Sequence, residues 1–176
     1  MRMHGQEIKG PNVETVVIPR HYGDVVFQAR AVLSYKGFDE ICPRPKPPMI
    51  VKPGKQPEMD PTDKDYLEAL SQFSEQRFAW LILDSLSATE GLTWDTVNMA
   101  DPKTWLNYRT ELEASGFADP EIARIIGAVM AANGLDESKV EEARQRFLAS
   151  QAEKLSKQFS QNIAQMNTQS GEPAKA

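Results

Sequence analysis

The stretch EIARIIGAVMAANGLDES, residues 121–138, decides between two folds. Ala123 and Gly127 have the Ala-x-x-x-Gly spacing common in the first helix of helix-turn-helix DNA readers, in which the glycine ends that helix. Here an apolar series continues past the glycine at helical spacing, through Ile122, Ile125, Ile126, Val129 and Met130. The pattern therefore predicts one continuous helix that ends at Asn133 and Gly134, with Gly127 inside it and packed closely against a neighbouring helix.

The next helix along the chain is close to neutral in charge. It opens with Asp136 and Glu137, and its acidic residues are balanced by Lys139, Arg144 and Arg146. A helix that reads a DNA groove should carry a basic stripe towards the phosphates. The sequence therefore favours packing of a helix pair, and a helix-turn-helix DNA-binding regulator is kept only as an alternative.

The totals bound the class of protein. The chain has 176 residues, enough for one well-packed domain with an appendage, and a formal net charge of −5. This acidic balance disfavours nucleic acid and anionic membranes as partners. Cys42 is the only cysteine, and His4 and His21 lie apart from it, so the sequence predicts no disulfide, metal or other cofactor. Without a signal-peptide or membrane-spanning apolar run, we expect a cytoplasmic protein.

Residues 1–41 have the pattern of a β-hairpin region. The segments ETVVIPR and DVVFQARAVLSY are rich in Val, Ile and aromatic residues, and HYGD between them supplies a turn. Pro19 belongs at a strand end, because it has no N–H to donate. Residues 29–35 could instead be helical. A two-stranded hairpin is marginal alone, so we expect it to pack on the helical part or on another subunit.

Residues 42–59 form a proline-rich basic arm. Prolines here and at residue 61 forbid a helix or a central strand and favour an extended path. Arg44, Lys46, Lys52 and Lys55 make the arm the most basic stretch of the chain. It is either a semi-rigid spacer or a segment that docks on a partner or on its own helices. The candidate partner-binding residues are Pro45, Pro47, Pro48, Met49, Ile50 and Val51.

Residues 60–160 are predicted to form a helical domain of four helices, and residues 161–176 a flexible polar tail. Asp60-Pro61, Asp101-Pro102 and Asp119-Pro120 each place a capping acid before proline, and Asp136 caps a fourth helix. Residues 78–83 are apolar nearly all round, which predicts the centre of the core. Gly116 is expected to end a helix. The predicted fold class is therefore α+β, mainly α.

The sequence contains no catalytic motif, so we expect a non-enzymatic protein. No nucleophile elbow, phosphate-binding loop, dinucleotide fingerprint or His-Glu metal helix occurs. Most acidic residues lie at helix starts, where they cap the helix, or on polar helix faces that are exposed to water. Cys42 has no histidine close in sequence to act as its base. The tryptophans, Trp80, Trp94 and Trp105, are interpreted most simply as core residues, with a partner-binding role as the alternative.

Four runs of sequence resemble one family. CPRPKPP, FAWLILDSLSATEGLTWDTVNMADPKTW, ELEASGF and RIIGAVMAANGLDESKVEEARQRFL look like the tail assembly chaperones of long-tailed, siphovirus-type bacteriophages, over residues 16–148. The resemblance implies a protein that binds the long, apolar, helical tape measure protein, keeps it soluble and helps tail tube subunits polymerise around it. It also implies that a frameshift-extended form recruits the tail tube protein. Such a protein acts in the cytoplasm of the infected bacterial host and is lost from the mature virion.

The end of the last helix is the predicted client-binding surface. Its apolar residues lie beyond the segment needed to pack the other helices, and they also fit a frayed amphipathic end. Exposed apolar residues favour self-association as well. A structural virion subunit, in the tail or connector, is the main alternative function. The candidate residues on this helix are Leu155, Phe159, Ile163 and Met166.

Overall fold

The computed structural model describes residues 1–3, 5–7, 9–51, 54 and 56–169, with the side chains at 155 and 158–169 outside that description. The chain divides into two compact units, one of residues 1–135 and one that begins at Asp136. The predicted fold class, α+β and mainly α, is confirmed, because helices dominate and the strands form small hairpins.

The main hairpin consists of β3 (Val13–Ile18) and β4 (Val25–Arg30), preceded by the short pair β1 (Arg2–Met3) and β2 (Gln6–Glu7). Both pairs are antiparallel, and Val16 lies opposite Phe27. The predicted hairpin is thus confirmed, with Pro19 just past the end of β3. Residues 31–35 are neither strand nor helix, so the helical alternative for 29–35 is wrong. A short helix that was not predicted, α1 (Lys36–Ile41), follows.

The arm folds back on itself instead of remaining extended. β5 (Met49–Ile50) pairs antiparallel with β6 (Glu58–Met59), and the N–H of Asp60 donates to the carbonyl of Pro48 at 2.8 Å. The described part of the arm contains no helix, as its prolines predict. The β5–β6 pairing was not predicted. A high proline content excludes a helix, but it does not specify which residues pair with each other.

α2 (Lys64–Leu86) begins three residues later than predicted. Asp63 is the cap, since its carboxylate accepts a hydrogen bond from the Tyr66 N–H at 2.8 Å. The carboxylate of Asp60 instead accepts from the N–H and hydroxyl of Thr62 within a turn. Residues 79–83 are buried, which confirms the centre of the core. Phe78, predicted to belong to that centre, is 40% exposed.

The next two helix starts also differ in detail from the prediction. Asp101 caps a turn of 3-10 helix (Pro102–Thr104), and α3 (Asn107–Ala114) begins only after it. α4 (Asp119–Ala132) is capped at Ala118, whose N–H donates to the Glu121 carboxylate at 2.9 Å. The predicted cap at Asp119 is therefore wrong. Gly116 ends α3 as predicted, with φ of 82°.

α4 is one continuous helix through Gly127, as its apolar spacing predicts. The helix ends at Ala132, and Asn133 is its C-terminal cap. Gly134 then adopts φ of 65°, and the Leu135 N–H donates to the Met130 carbonyl at 2.9 Å. This is the Schellman arrangement that a glycine allows. The predicted close packing at Gly127 is wrong, because the residue is exposed and a Cβ placed there meets no atom within 4 Å.

The core of the first unit is aromatic at its centre. Phe38 of α1 lies with its ring 5.3 Å from that of Phe73 and 5.8 Å from those of Trp80 and Trp105. Trp80 and Trp105 are buried and Trp94 is partly buried, which confirms the interpretation of the tryptophans. The hairpin packs against α4 and α2, so it is the helical part that supports it.

The second unit is a single helix over its described residues, α5 (Glu137–Gln169). The carboxylate of Asp136 accepts hydrogen bonds from the N–H groups of Ser138 and Lys139, which confirms the predicted cap. The helical backbone reaches Gln169, inside the segment predicted as a flexible tail, and residues 170–176 lie outside the described chain.

Candidate protein-binding surfaces

The first candidate surface lies on α5. Val140, Phe147 and Leu148 are large apolar residues of this helix, and their exposed fractions are 53%, 59% and 48%. Val140 and Phe147 are seven residues apart, about two helical turns, and therefore share one side of the helix. We name these three residues the α5 face. The α5 face is therefore a set of half-exposed apolar side chains on one helix.

The predicted client-binding residues continue from the α5 face. The helical backbone of α5 passes through Leu155, Phe159, Ile163 and Met166, and their side chains lie outside the described residues. Their assignment to a partner remains a prediction.

Two ion pairs lie along α5 itself. Arg144 lies 3.7 Å from Glu141, and Lys157 lies 2.7 Å from Glu153. Exposed pairs of this spacing contribute only about 0.3–0.5 kcal/mol each. Helices in proteins derive most of their stability from packing an amphipathic face. Within the second unit no other described element covers α5, so its apolar face is suited to a partner.

The second candidate surface is the tip of the arm. Met49 and Val51 are 57% and 72% exposed, and Met59, opposite Met49 in the β5–β6 pair, is also exposed. Pro48 is exposed, whereas Pro45, Pro47 and Ile50 are half-buried. The β5–β6 pair therefore places Met49 opposite Met59, and Met59 was not among the predicted partner-binding residues. Flexible methionine side chains adapt to irregular partner surfaces.

The base of the arm is anchored to α2. The Cys42 thiol is buried and donates to the Oε1 atom of Gln76 at 3.2 Å. Burial raises the pKa of the thiol, which keeps it protonated at neutral pH. The hydrogen bond from Cys42 to Gln76 therefore joins the start of the arm to α2.

A groove at this base was missed by the sequence analysis. It has a volume of about 390 Å³ and lies between α2 and the residues that flank α1. We name it the arm-base groove. The α2 residues that line the groove are apolar and basic residues at helical spacing, which the sequence does show. Arg44 is distant in sequence from most of them, and only the fold brings it to the groove. The residues that define it are Tyr35, Arg44, Leu70, Arg77, Phe78 and Leu81.

Among the described residues, no group of three or more His, Cys, Asp and Glu side chains is placed to hold a metal ion. None of the described helices combines the length and apolar character needed to cross a bilayer. Comparisons with protein-family models, curated proteins and solved structures gave no match.

Proposed function

We propose that this protein is a non-enzymatic tail assembly chaperone of a long-tailed bacteriophage. It binds the apolar, helical tape measure protein, keeps it soluble and promotes polymerisation of the tail tube around it. The observation that carries the proposal is the α5 face, where Val140, Phe147 and Leu148 are about half exposed on one helix. The sequence resemblance supplies the identity of the client.

The physical basis is the pairing of two apolar helical surfaces. A long helical client exposes apolar stripes that aggregate unless they are covered. A helix with its own apolar stripe covers such a surface through contacts repeated every three or four residues. Each large apolar side chain that becomes fully buried contributes roughly 1.5–3 kcal/mol. Val140, Phe147 and Leu148 are about half exposed, so each gains part of that amount when a client covers it.

The arm tip provides a second contact in this proposal. Met49, Val51 and Met59 form an exposed apolar patch on the first unit, whereas the α5 face belongs to the second. Two patches on different units allow one chaperone to hold two points of a long client. A C-terminally extended form would add the contact that recruits the tail tube protein. This activity takes place in the host cytoplasm.

Co-expression with the tape measure protein of the same phage tests the proposal. We expect a tape measure protein that is insoluble alone to appear in a soluble complex on size exclusion when the chain is present. A tape measure protein that stays insoluble, with this chain eluting alone, would contradict the proposal. Detection of the chain in purified particles would instead favour a structural virion subunit.

A further inference from the structure

We propose that the arm-base groove binds an acidic segment of a partner protein in which carboxylates flank an aromatic or aliphatic anchor residue. The groove lies in the first unit and is distinct from the α5 face, so this inference does not depend on the chaperone proposal. It rests on the apolar floor of the groove, on two arginines at its rim and on the absence of acids among its lining residues.

The floor of the groove suits an apolar side chain. Phe73 and Leu81 are buried beneath it, Leu70 is half-buried, and Phe78 is 40% exposed at its margin. A volume of about 390 Å³ is within the range of roughly 300–1,000 Å³ typical of ligand pockets. A small anion would bind the arginines but leave the apolar floor exposed to water. A ligand that fits the groove therefore carries an apolar side chain as well.

The rim is positively charged and preorganised. The Arg77 guanidinium lies 4.5 Å from the centre of the Tyr35 ring, a cation–π contact that restrains its plane. Arg44 reaches the groove from the arm. A guanidinium presents a planar fork of N–H donors that matches a carboxylate. The geometry thus places donors beside an apolar floor.

These two arginines lack carboxylate partners within the described chain. Arg20, Arg109 and Arg144 each pair with a glutamate, whereas no ion pair forms between a described residue and Arg44 or Arg77. All the lining side chains are neutral or basic. The whole chain carries a net charge of −5, whereas the charged side chains that line this groove are both arginines, which suits an acidic segment.

A labelled peptide provides the test. The probe is fluorescein-Asp-Asp-Phe-Leu-Asp-Asp, titrated with the full chain and followed by fluorescence anisotropy. We expect binding that weakens as salt is raised, because exposed charges are screened. A peptide with asparagines in place of the aspartates, and one with serines in place of Phe and Leu, should each bind roughly tenfold more weakly.

Charge-reversed variants locate the site. Arg44→Glu and Arg77→Glu should each weaken binding by about tenfold or more, since each replaces attraction with repulsion. Arg77→Lys should weaken it less, because the charge remains while the planar contact with Tyr35 is lost. Arg124→Glu, at an exposed arginine of α4, is the matched control and should leave affinity nearly unchanged. All three positions are exposed, so circular dichroism should show an unchanged fold for each of the four variants.

Several outcomes would overturn the inference. Equal affinity for the aspartate and asparagine peptides would remove the role of charge, and equal effects of Arg77→Glu and Arg124→Glu would remove the role of the groove. If the peptide fails to bind and the chain sediments as a dimer that Arg77→Glu dissociates, the occupant is a second copy. None of these results depends on the tape measure protein, so failure here leaves the chaperone proposal to its own experiment.

Discussion

Arg20 and Glu121 form a two-pronged ion pair between residues 101 positions apart in the chain. The guanidinium of Arg20 donates to both carboxylate oxygens of Glu121, at 2.7 and 2.9 Å, and it also donates to the Gly116 carbonyl at 3.3 Å. Its carbon centre lies 4.7 Å from the centre of the Phe117 ring. This one side chain therefore ties the end of β3 to the junction between α3 and α4.

Glu121→Gln should make the stability of the protein less dependent on pH in the acidic range. The hydrogen bond from Arg20 lowers the pKa of Glu121 below its ordinary value of 4.5. A lowered pKa in the folded state gives stability that is complete above about pH 4.5 and is lost as pH falls through the folded value. The melting temperature of the variant should thus lie below that of the parent at neutral pH, and the difference should shrink on acidification.

Glu113→Gln is the control for this measurement. Glu113 pairs with Arg109 at 3.0 Å on the surface of α3, and both side chains are about half exposed. Exposed pairs contribute little, so this substitution should change the melting temperature far less. A difference between parent and Glu121→Gln that stays constant from neutral to acidic pH would contradict the assigned linkage.

Asn133→Ala should destabilise the first unit by about 1–3 kcal/mol. The side-chain oxygen of Asn133 accepts from the Val32 N–H at 2.8 Å, and its amide nitrogen donates to the Val129 carbonyl at 2.8 Å. Alanine leaves the partly buried Val32 N–H without this acceptor. Asn107→Ala, which removes a 3.3 Å bond to Thr96 in an exposed loop, is the control and should cost less. Urea unfolding measures both, and equal losses would contradict the role of burial.

Gly127→Ala and Gly134→Ala should have opposite effects on stability. Gly127 is exposed within α4 and has open space at its Cβ position, so alanine should stabilise the helix by about 0.5–1 kcal/mol. Gly134 has φ of 65°, where an L side chain is strained, so the same change should destabilise the protein. Thermal unfolding of the two variants provides the comparison. Stabilisation at both positions would show that the α4 terminus does not need its left-handed residue.

Local patterns predicted the elements whose signals are contained in a few residues. The stripe of α4 and its stop at Gly134 follow from periodicity and backbone sterics, and the main hairpin follows from two β-rich runs around a turn. The cap of α2 was misplaced because Asp60 and Asp63 both precede helical sequence. The proline at residue 61 favoured Asp60 as the cap. In the structure, however, the Asp60 carboxylate accepts hydrogen bonds from the N–H and hydroxyl of Thr62.

The candidate surfaces depended on contacts that periodicity does not specify. Val140 and Phe147 have a helical spacing that occurs on packed faces and on exposed faces alike, so only the structure shows that they are exposed. The arm-base groove brings Arg44 to Arg77 through the fold of α1 and the arm. Arg44 lies in the arm and Arg77 in α2, so no local sequence motif contains both residues. The groove could therefore not be predicted from a motif.

Phe147→Asp should abolish the solubilisation of a tape measure protein while leaving the chaperone folded. Phe147 is 59% exposed, so an aspartate there removes apolar contact area and adds a charge that a client would have to bury. Ala149→Asp is the matched control, because Ala149 is also exposed and lies about 200° around the helix from Phe147. Phe159→Asp should repeat the loss if the client surface continues along α5.

Co-expression and size exclusion compare the three variants, with circular dichroism as the check on folding. Equal loss in Phe147→Asp and Ala149→Asp would assign the effect to added charge on α5, and full activity in Phe147→Asp would remove the α5 face from the client-binding surface.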